Sequence, residues 1–405
     1  MSYQKIQYES YGRRIVASIT GVLIGIVMFA IASYVLYWNE GRTVRQSDVI
    51  LEARAAAVEM YDISNADPSF EGKLVHAAGR AETKDILKDA TFGVETNAIK
   101  LERNVQYYQW VEKTKTEEKE KLGGGKETIT TYTYEKEWSP KPVNSDNFED
   151  TNARTRNRNF VTAEVEDKTI YAADVTFGAY RLPEIIRNSI GNAAPVSFEL
   201  PQPIKDEFEK RVGSVLEREG EAGGANARYV HTSEGTVYFG KTPSSPVIGD
   251  AKISFTEVKP ADISVIAVVR GQTFDRFTAS NRNQFYEVSM GNVSAEEMFS
   301  GAEAANSIIE WVLRGVGALF VIIGIRLFIG PAAILAAVIP FIGNVIGAGS
   351  TLVAFLVGIA WSLILIAFAW LRFLPLLGGG LLAIAVVLFT LSYLRGRARK
   401  AAADV

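Results

Sequence analysis

The sequence predicts an α+β membrane protein with four transmembrane helices and a large, mixed, β-rich extracytoplasmic domain between the first and the second. Apolar residues are concentrated at the two ends of the 405-residue chain, in stretches long enough to cross a bilayer. The polar region between them carries aromatic and β-branched residues in strand-like runs separated by glycine-rich turns. The chain therefore divides into membrane helices at its ends and a water-exposed middle.

The first transmembrane helix is predicted at residues 15–38, after a cytoplasmic N-terminus of residues 1–14. This range of 24 residues contains no charge. At about 1.5 Å per residue it reaches about 36 Å, enough to cross a hydrocarbon layer of about 30 Å. It ends in aromatic residues, Trp38 the last, without the small residues of a cleavage site, which favours an uncleaved anchor. Arg13 and Arg14 precede it and favour a cytoplasmic N-terminus, although two arginines also follow it.

Residues 39–310 are predicted to form the extracytoplasmic domain. Its clearest feature is a long hairpin whose strands are joined by a charged stretch ending in three glycines, and we interpret the charged tip as a solvated turn. Ser294 and Glu297 have capping-box spacing and begin an apolar helical face, so one helix is predicted to run from the domain into the membrane. The other predicted elements are a helix at 47–60, hairpin strands at 104–113 and 127–138, a helix at 206–219, and strands at 251–255 and 263–269.

Residues 311–394 are predicted to form a C-terminal bundle of three membrane helices. Residues 327–371 carry no charge, which is too long a run for one span, and glycine and proline interrupt it from Gly330 onward. Residues 331–344 are too short to cross, so we predict a re-entrant or interfacial turn there. The three predicted helices occupy residues 311–329, 345–371 and 373–394.

Basic residues at the ends of the spans set the predicted orientation. The cluster in the tail at 395–405 marks a cytoplasmic end, and four spans place both termini on the same side. Arg314 and Arg326 are expected to extend toward opposite interfaces, because a guanidinium at the bilayer centre is costly. The predicted interface anchors are Arg13, Arg14, Trp38, Arg326, Arg372 and Arg395.

Small residues in the bundle are predicted to serve helix packing and assembly. Gly347, Gly349 and Gly358 would let helices approach closely, which is how helices associate in lipid. A pore lining is the alternative interpretation of the same residues. Residues 327–371 contain no Asp, Glu or His, whereas ion-coupled pumps usually need buried acids.

The composition excludes several classes of function. The net charge of −3 with scattered basic residues argues against a nucleic-acid partner. The absence of cysteine excludes disulfides, thiolate metal sites and a cysteine nucleophile. Only His76 and His231 remain for metal or acid–base chemistry, and no catalytic set, cofactor site or metal site is predicted.

Several short segments carry a resemblance to a known family: Asn39–Arg42, Leu74–His76, Tyr108–Glu112, Glu137–Trp138, Asn144–Ser145 with Asn147–Phe148, Ser294–Glu297, and Trp370–Leu371 with Pro375. In this order, along nearly the whole chain, they resemble the LUMA family of four-pass membrane proteins. The resemblance implies a lumenal or periplasmic domain, homo-oligomerisation and a role in organising membrane protein complexes. It places the chain in the inner membrane of a bacterium, or in the endoplasmic reticulum and inner nuclear membrane of a eukaryote.

Three functions are compatible with these observations. The first is a membrane-anchored, self-associating scaffold whose partners are the bilayer, further copies of the chain and other membrane proteins. The second is an ion channel or channel modulator, supported by the interrupted element at 330–344. The third is a membrane-linked hydrolase using His76 or His231, the latter near Ser233 and Glu234, although two neighbouring residues do not make a triad without tertiary geometry.

Overall fold

The computed structural model describes residues 2–150, 156–158, 165–218, 220, 223–224, 227–336, 340–380, 382–384, 387 and 390. The helices are α1 (Tyr11–Ala56), α2 (Glu184–Arg187), α3 (Gln202–Arg218), α4 (Ala295–Ala336) and α5 (Pro340–Phe373). Three of them, α1, α4 and α5, have the length and hydropathy of membrane spans, and they pack together as a bundle.

The described chain has nineteen strands, of which β1 precedes α1 and the other eighteen lie between α1 and α4. They are β1 (Ser2–Glu9), β2 (Val58–Met60), β3 (Leu74–Glu82), β4 (Ile86–Asp89), β5 (Val94–Asn97), β6 (Lys100–Glu120), β7 (Lys126–Ser139), β8 (Lys168–Tyr171), β9 (Thr176–Phe177), β10 (Tyr180–Arg181), β11 (Ala194–Pro195), β12 (Val230–Ser233), β13 (Thr236–Phe239), β14 (Ala251–Val258), β15 (Ala261–Arg270), β16 (Thr273–Asp275), β17 (Phe277–Thr278), β18 (Gln284–Phe285) and β19 (Glu287–Met290).

Two sheets dominate the domain. One has the strand order β1-β7-β6-β14-β13-β12, with β11 paired to β14 and β8 paired to β6. The other has the order β19-β15-β16-β10-β9-β3-β2, and β15 also pairs with β3. A single large apolar core contains residues of both sheets, with Phe92 stacked on Phe208 of α3 at a centroid distance of 5.3 Å. The predicted mixed α and β composition is confirmed.

Helices α1 and α4 run without interruption from the bundle into the domain. Val49 and Ala53 of α1 pack with Met298 and Phe299 of α4 against sheet residues such as Ile266. The predicted continuous helix from domain to bundle is thus confirmed in α4. At the other end of the chain we predicted a separate helix at 47–60, but residues 11–56 form one helix, because the polar residues after the apolar run find partners within the bundle.

The predicted hairpin is confirmed and is longer than expected. Strands β6 and β7 pair from Tyr107 with Ser139 to Glu120 with Lys126. The N-terminal residues, expected as a simple cytoplasmic tail, form β1, which pairs with β7 from Ser2 with Thr133 to Glu9 with Lys126. We refer to the three paired segments, Ser2–Glu9, 113–120 and 126–133, as the ribbon.

The helices around the predicted turn at 331–344 are longer than expected. Helix α4 continues through Pro331 to Ala336, and α5 begins at Pro340, while residues 337–339 between them lie outside the described residues. A re-entrant or interfacial turn stays a prediction. The expected fourth span begins after Phe373, where an apolar helix follows from Pro375. Most of its second half, like the tail at 395–405 with Arg395, lies outside the described residues.

Candidate functional site

The most polar part of the bundle lies where α1, α4 and α5 meet beside the domain. It is formed by the phrase Asn39–Arg42, which directly follows the apolar run of α1, together with residues of α4 and α5 at the same level. We call this cluster the junction, and it consists of Asn39, Glu40, Gly41, Arg42, Thr43, Asn306, Glu310, Arg314 and Trp370.

A buried ion pair lies at the centre of the junction. Arg314 of α4 donates from Nε to Glu40 Oε1 and from Nη2 to Glu40 Oε2, each at 2.7 Å. Trp370 of α5 donates from Nε1 to Glu40 Oε2 at 2.8 Å. Arg314 also pairs with Glu310 one turn earlier on its own helix. Because Glu40 is only 2% exposed, its carboxylate depends on these donors in place of water.

A second layer of hydrogen bonds lies one turn closer to the domain. Arg42 Nη1 donates to Asn306 Oδ1 at 2.9 Å, and Asn306 Nδ2 donates to the Thr43 carbonyl at 3.1 Å. Asn39 Nδ2 donates to the Glu310 carbonyl at 3.2 Å. These bonds tie α1 to α4 along one helical turn. The directional contacts fix one rotation of each helix, which apolar packing alone specifies poorly.

Gly41 allows α5 to approach the junction closely. A Cβ atom at this position would lie 2.6 Å from Cζ of Phe373. The Phe373 ring also contacts Tyr37, at a centroid distance of 5.5 Å. A larger residue at Gly41 would therefore require the Phe373 ring to move.

The ribbon extends away from the domain and returns along the bundle to the start of α1. Arg14 donates from Nη1 to the Gly124 carbonyl at 2.7 Å and from Nη2 to Glu120 Oε1 at 2.9 Å. Tyr11 packs so closely on Gly124 that a Cβ there would lie 2.3 Å from Cδ2 of the ring. The turn of the hairpin therefore rests on the end of α1 that is farthest from the domain.

Between the ribbon and the bundle lies an open cavity of about 750 Å³ with charged and apolar lining residues. Its ribbon side carries Glu9, Glu118, Glu120 and Lys126, and its bundle side includes Arg14 and Arg326 among small residues. Arg326 donates from Nε to Thr351 Oγ1 at 2.7 Å. Glu120 Oε2 is buried without a hydrogen-bond partner among the described residues.

The base of the ribbon is fixed to the domain by a buried tyrosine. Tyr134 donates from its hydroxyl to Glu112 Oε2 at 2.7 Å and packs on Phe148. Burial, followed by the hydrogen bond to Glu112, raises the pKa of Tyr134 to about 12. The Glu149 amide donates to the same Glu112 oxygen at 2.7 Å, so the ribbon has a rigid attachment.

Of the three glycines predicted for packing, Gly358 lies at a helix contact. A Cβ there would be 2.6 Å from Cγ1 of Ile322 on α4, whereas a Cβ at Gly347 or Gly349 would have no atom of another residue within 4 Å. A further close crossing, which we did not predict, lies between Gly25 of α1 and Gly324 of α4, where a Cβ on Gly25 would lie 2.7 Å from the Gly324 carbonyl oxygen. The role of these residues in assembly stays a prediction.

The predicted anchors have different environments. Arg13 is exposed and Trp38 is 42% exposed, as lipid-interface residues would be, whereas Arg14 is buried under the hairpin turn. Arg326 faces the cavity, and the Arg372 guanidinium lies 6.0 Å from the centre of the Phe373 ring. Whether they contact lipid headgroups stays a prediction.

The two histidines contact backbone and carboxylate groups of the domain. His76 Nδ1 lies 2.6 Å from Glu59 Oε2 and its Nε2 lies 2.9 Å from the Val293 carbonyl. His231 Nε2 lies 3.2 Å from the Gly240 carbonyl. Among the residues that the structure describes, no three histidine or acidic side chains come together as a metal site would require.

Comparison with known proteins decides the family. A sequence model of the family described as Transmembrane protein 43 matches residues 107–375, more than half of the chain. The chain belongs to the transmembrane protein 43 family. The resemblance to the LUMA family predicted from the sequence is thereby confirmed.

Transmembrane protein 43 of Rattus norvegicus is 28% identical over 91% of this chain and 88% of its own length. Its counterpart in Homo sapiens is 27% identical over 88% and 85%, and the homolog in Drosophila melanogaster is 26% identical over 89% and 90%. No solved structure matches the chain. The transmembrane protein 43 family is not known as an enzyme family, and these relatives are named as transmembrane proteins, in agreement with the three long apolar helices.

For this member of the transmembrane protein 43 family, sequence reasoning missed the junction. We expected Arg314 to extend to the interface, but it pairs with Glu40. A usable signal was present, since Glu40 and Arg314 are opposite charges, each within a few residues of the domain-side end of an apolar run. Two antiparallel helices bring such positions to the same depth.

Proposed function

We propose that the protein is a membrane-anchored, self-associating scaffold that organises membrane protein complexes or membrane domains. The observation that carries this proposal is the junction. A buried ion pair and its surrounding hydrogen bonds join three helices to one another, and two of these helices, α1 and α4, continue into the domain. Such a unit suits a protein that holds partners at fixed positions, because the domain and bundle have one defined arrangement.

The proposed orientation has both termini in the cytoplasm and the body of the domain on the other side of the membrane. It is supported by the basic residues before the first span and after the last. The surface of the bundle suits lipid, since large apolar side chains such as Leu23, Leu319 and Leu363 are more than half exposed. Other membrane proteins would contact this unit through the domain or the bundle.

Native mass measurement of the detergent-solubilised chain, together with chemical crosslinking in membranes, tests self-association. We expect a discrete assembly of several copies that persists on dilution. A monomer under both conditions would contradict the scaffold proposal. Glu40→Gln is the informative variant here, because it is designed to loosen the helix arrangement without altering any exposed surface, and we expect it to broaden the distribution of assemblies.

An ion channel or channel modulator is the second candidate, and the cavity beside the bundle favours it. Charged side chains at membrane depth are costly unless they face water or a partner, and Arg326 makes no ion pair within the described ranges. Reconstituted protein would then conduct ions across liposomes, with a selectivity altered by Arg326→Gln. Absence of ion flux in liposomes with verified protein insertion would reject the channel function and leave the scaffold as the remaining proposal.

A further inference from the structure

The ribbon lies at the same depth as the first span. Its turn contacts Arg14, at the start of the apolar run of α1, whereas Tyr107 of β6 is buried in the domain core. The strand from Tyr107 to Glu120 covers about 43 Å at about 3.3 Å per residue. This length exceeds the hydrocarbon thickness of about 30 Å. In a membrane crossed by α1, the ribbon therefore lies at the depth of the hydrocarbon layer.

On the face of the ribbon that points away from the bundle, β6 is charged, whereas β1 and β7 also carry apolar residues there, Ile6 and Ile129. Alternate residues of a strand point to opposite faces, and Glu118, Glu120 and Lys126 face the cavity. The opposite face of β6 therefore carries Lys113, Lys115, Glu117 and Lys119. Lys115 pairs with Glu117 at 2.9 Å, and the two side chains are 78% and 54% exposed. Lipid cannot cover such a surface without a large desolvation cost, so this face requires water.

Both long edges of the ribbon lack a neighbouring strand within the described residues. Strand β1 is the last strand at one end of its sheet. Strand β6 pairs with β7 along one edge, and along its other edge it pairs with β14 only up to Tyr107. Unpaired backbone groups at membrane depth are costly, which is why strands in membranes occur in closed sheets. Strands β1 and β6 run in the same direction because both pair antiparallel with β7, so β1 of one copy could pair in parallel with β6 of the next.

We propose that copies of this chain assemble side by side with their ribbons paired edge to edge around an aqueous interior and their helix bundles outside, in contact with lipid. The interface consists of β1 of one copy and the outer edge of β6 of its neighbour. In this arrangement the charged face of β6 contacts water, the free strand edges pair with those of neighbouring copies, and the apolar helices contact lipid. It rests on the self-association proposed above and specifies the surface that produces it.

Disulfide formation between introduced cysteines tests the edge pairing, and the cysteine-free chain gives no background. The double variant Gln4→Cys/Lys115→Cys places one thiol on β1 and one on β6. Within one copy these strands are separated by β7, so their Cα atoms are about 9.5 Å apart, beyond the range of about 4.4–6.8 Å for a disulfide. Mild oxidation in membranes should therefore give covalently linked ladders, with Lys113→Cys or Glu117→Cys as alternative partners of Gln4→Cys for other registers.

The matched control is Gln4→Cys/Thr131→Cys, whose positions are directly opposed in one copy. It should close a disulfide within the chain and stay at monomer mass under denaturing conditions. If the control closes and none of the three β1–β6 pairs forms ladders, edge pairing is wrong. If Gln4→Cys alone forms dimers as efficiently, β1 pairs with itself and the proposed interface is also wrong.

Water access at membrane depth is measured with a charged maleimide on membranes opened to both sides. We expect Thr131→Cys on the outer face of the ribbon to react and Leu23→Cys, which is 62% exposed on α1, to be protected by lipid. Equal reactivity or equal protection of the two would overturn the aqueous interior. Assemblies in native mass measurement without ribbon disulfides would refute this arrangement while leaving the scaffold proposal intact, whereas a monomer would refute both.

Discussion

At the scale of single residues, the Glu40–Arg314 pair has the clearest energetic consequence. Removing one member of a buried pair typically costs about 3–5 kcal/mol when the remaining charge is left uncompensated. In Glu40→Gln, Arg314 keeps its pair with Glu310, so we predict a loss of about 3 kcal/mol or less, measured as a lower free energy of unfolding or a lower melting temperature in detergent. The exposed pair of Lys113 and Glu135, 2.7 Å apart, is the control, since exposed ion pairs contribute little and its Lys113→Gln variant should leave the melting temperature nearly unchanged.

The triple variant Glu40→Leu/Glu310→Gln/Arg314→Met separates charge from packing, because Glu310 also pairs with Arg314. Replacement of buried ionic groups by residues of similar size without charge is often neutral, so it should recover most of the stability lost in Glu40→Gln. If the triple variant is as unstable as the single one, the junction acts through shape or through Trp370 and not through charge compensation.

Glu287 gives a prediction for the effect of pH on stability. Burial raises the pKa of this carboxyl, so the folded state holds its proton more strongly than the unfolded state does. Stability from this group is then greatest below the ordinary pKa of a glutamate and decreases as pH rises toward the raised value. Glu287→Gln should therefore raise the melting temperature at pH 7 more than at pH 4. The exposed Glu207→Gln is the control and should show the same small change at both pH values.

At the scale of elements, helix packing depends on where glycines meet a neighbour. Gly324 and Gly358 would each place a Cβ within 3 Å of atoms on another helix, whereas Gly349 faces open space. We predict that Gly324→Leu and Gly358→Leu each lower the free energy of unfolding of the monomer by at least about 1–3 kcal/mol, because the added side chain overpacks the helix contact. Gly349→Leu should leave it unchanged in thermal unfolding.

Ser362→Ala is a mild control for this series, because its hydroxyl donates only to the Gly358 carbonyl one turn earlier. If Gly349→Leu leaves monomer stability intact but weakens crosslinking between copies, the open face of α5 contributes to assembly. Equal stability of all three leucine variants would show that the close glycine contacts do not determine helix packing.

The elements also show what sequence patterns can predict. The span of α1, the hairpin and the helix joining domain to bundle were predicted because each depends on local periodicity or turn composition. The start of the turn at 331–344 was placed too early, since α4 continues through Pro331 to Ala336, and proline interrupts a helix less readily in a membrane than in water. Strand β1 was missed, because its polar sequence becomes a strand only by pairing with β7, more than a hundred residues away.

At the scale of the whole molecule, the proposed topology places the body of the domain on one side of the membrane and the hairpin turn on the other. Both belong to residues 39–310, so labelling can test this arrangement. We predict that Ser233→Cys on the body of the domain is labelled from the extracytoplasmic side, and that Leu122→Cys, 88% exposed at the hairpin turn, is labelled from the cytoplasmic side. Charged maleimides applied to intact and inverted vesicles measure this difference. Labelling of both cysteines from one side would mean that the ribbon does not pass the depth of the bundle.

The family and the division into bundle and domain were predicted from the sequence, because both depend on patterns that extend over many consecutive residues. The junction and the cavity were not predicted, because each depends on side chains brought together from segments separated by hundreds of residues, such as Glu40 with Trp370 and Arg14 with Glu120. The hydrophobic pattern identifies which segments meet lipid. It does not specify the depth at which particular polar residues of different segments coincide.

The unbroken α1 also has a mechanical consequence. Its 46 residues form a rod of about 69 Å at about 1.5 Å per residue, with one end under the hairpin turn and the other in the domain core. A tilt of about 5° about one end would displace the other by about 6 Å for a rod of that length. Helix α1 is continuous between these two ends. A change in bilayer thickness that tilts the helix would therefore also displace the part of the domain that packs on it.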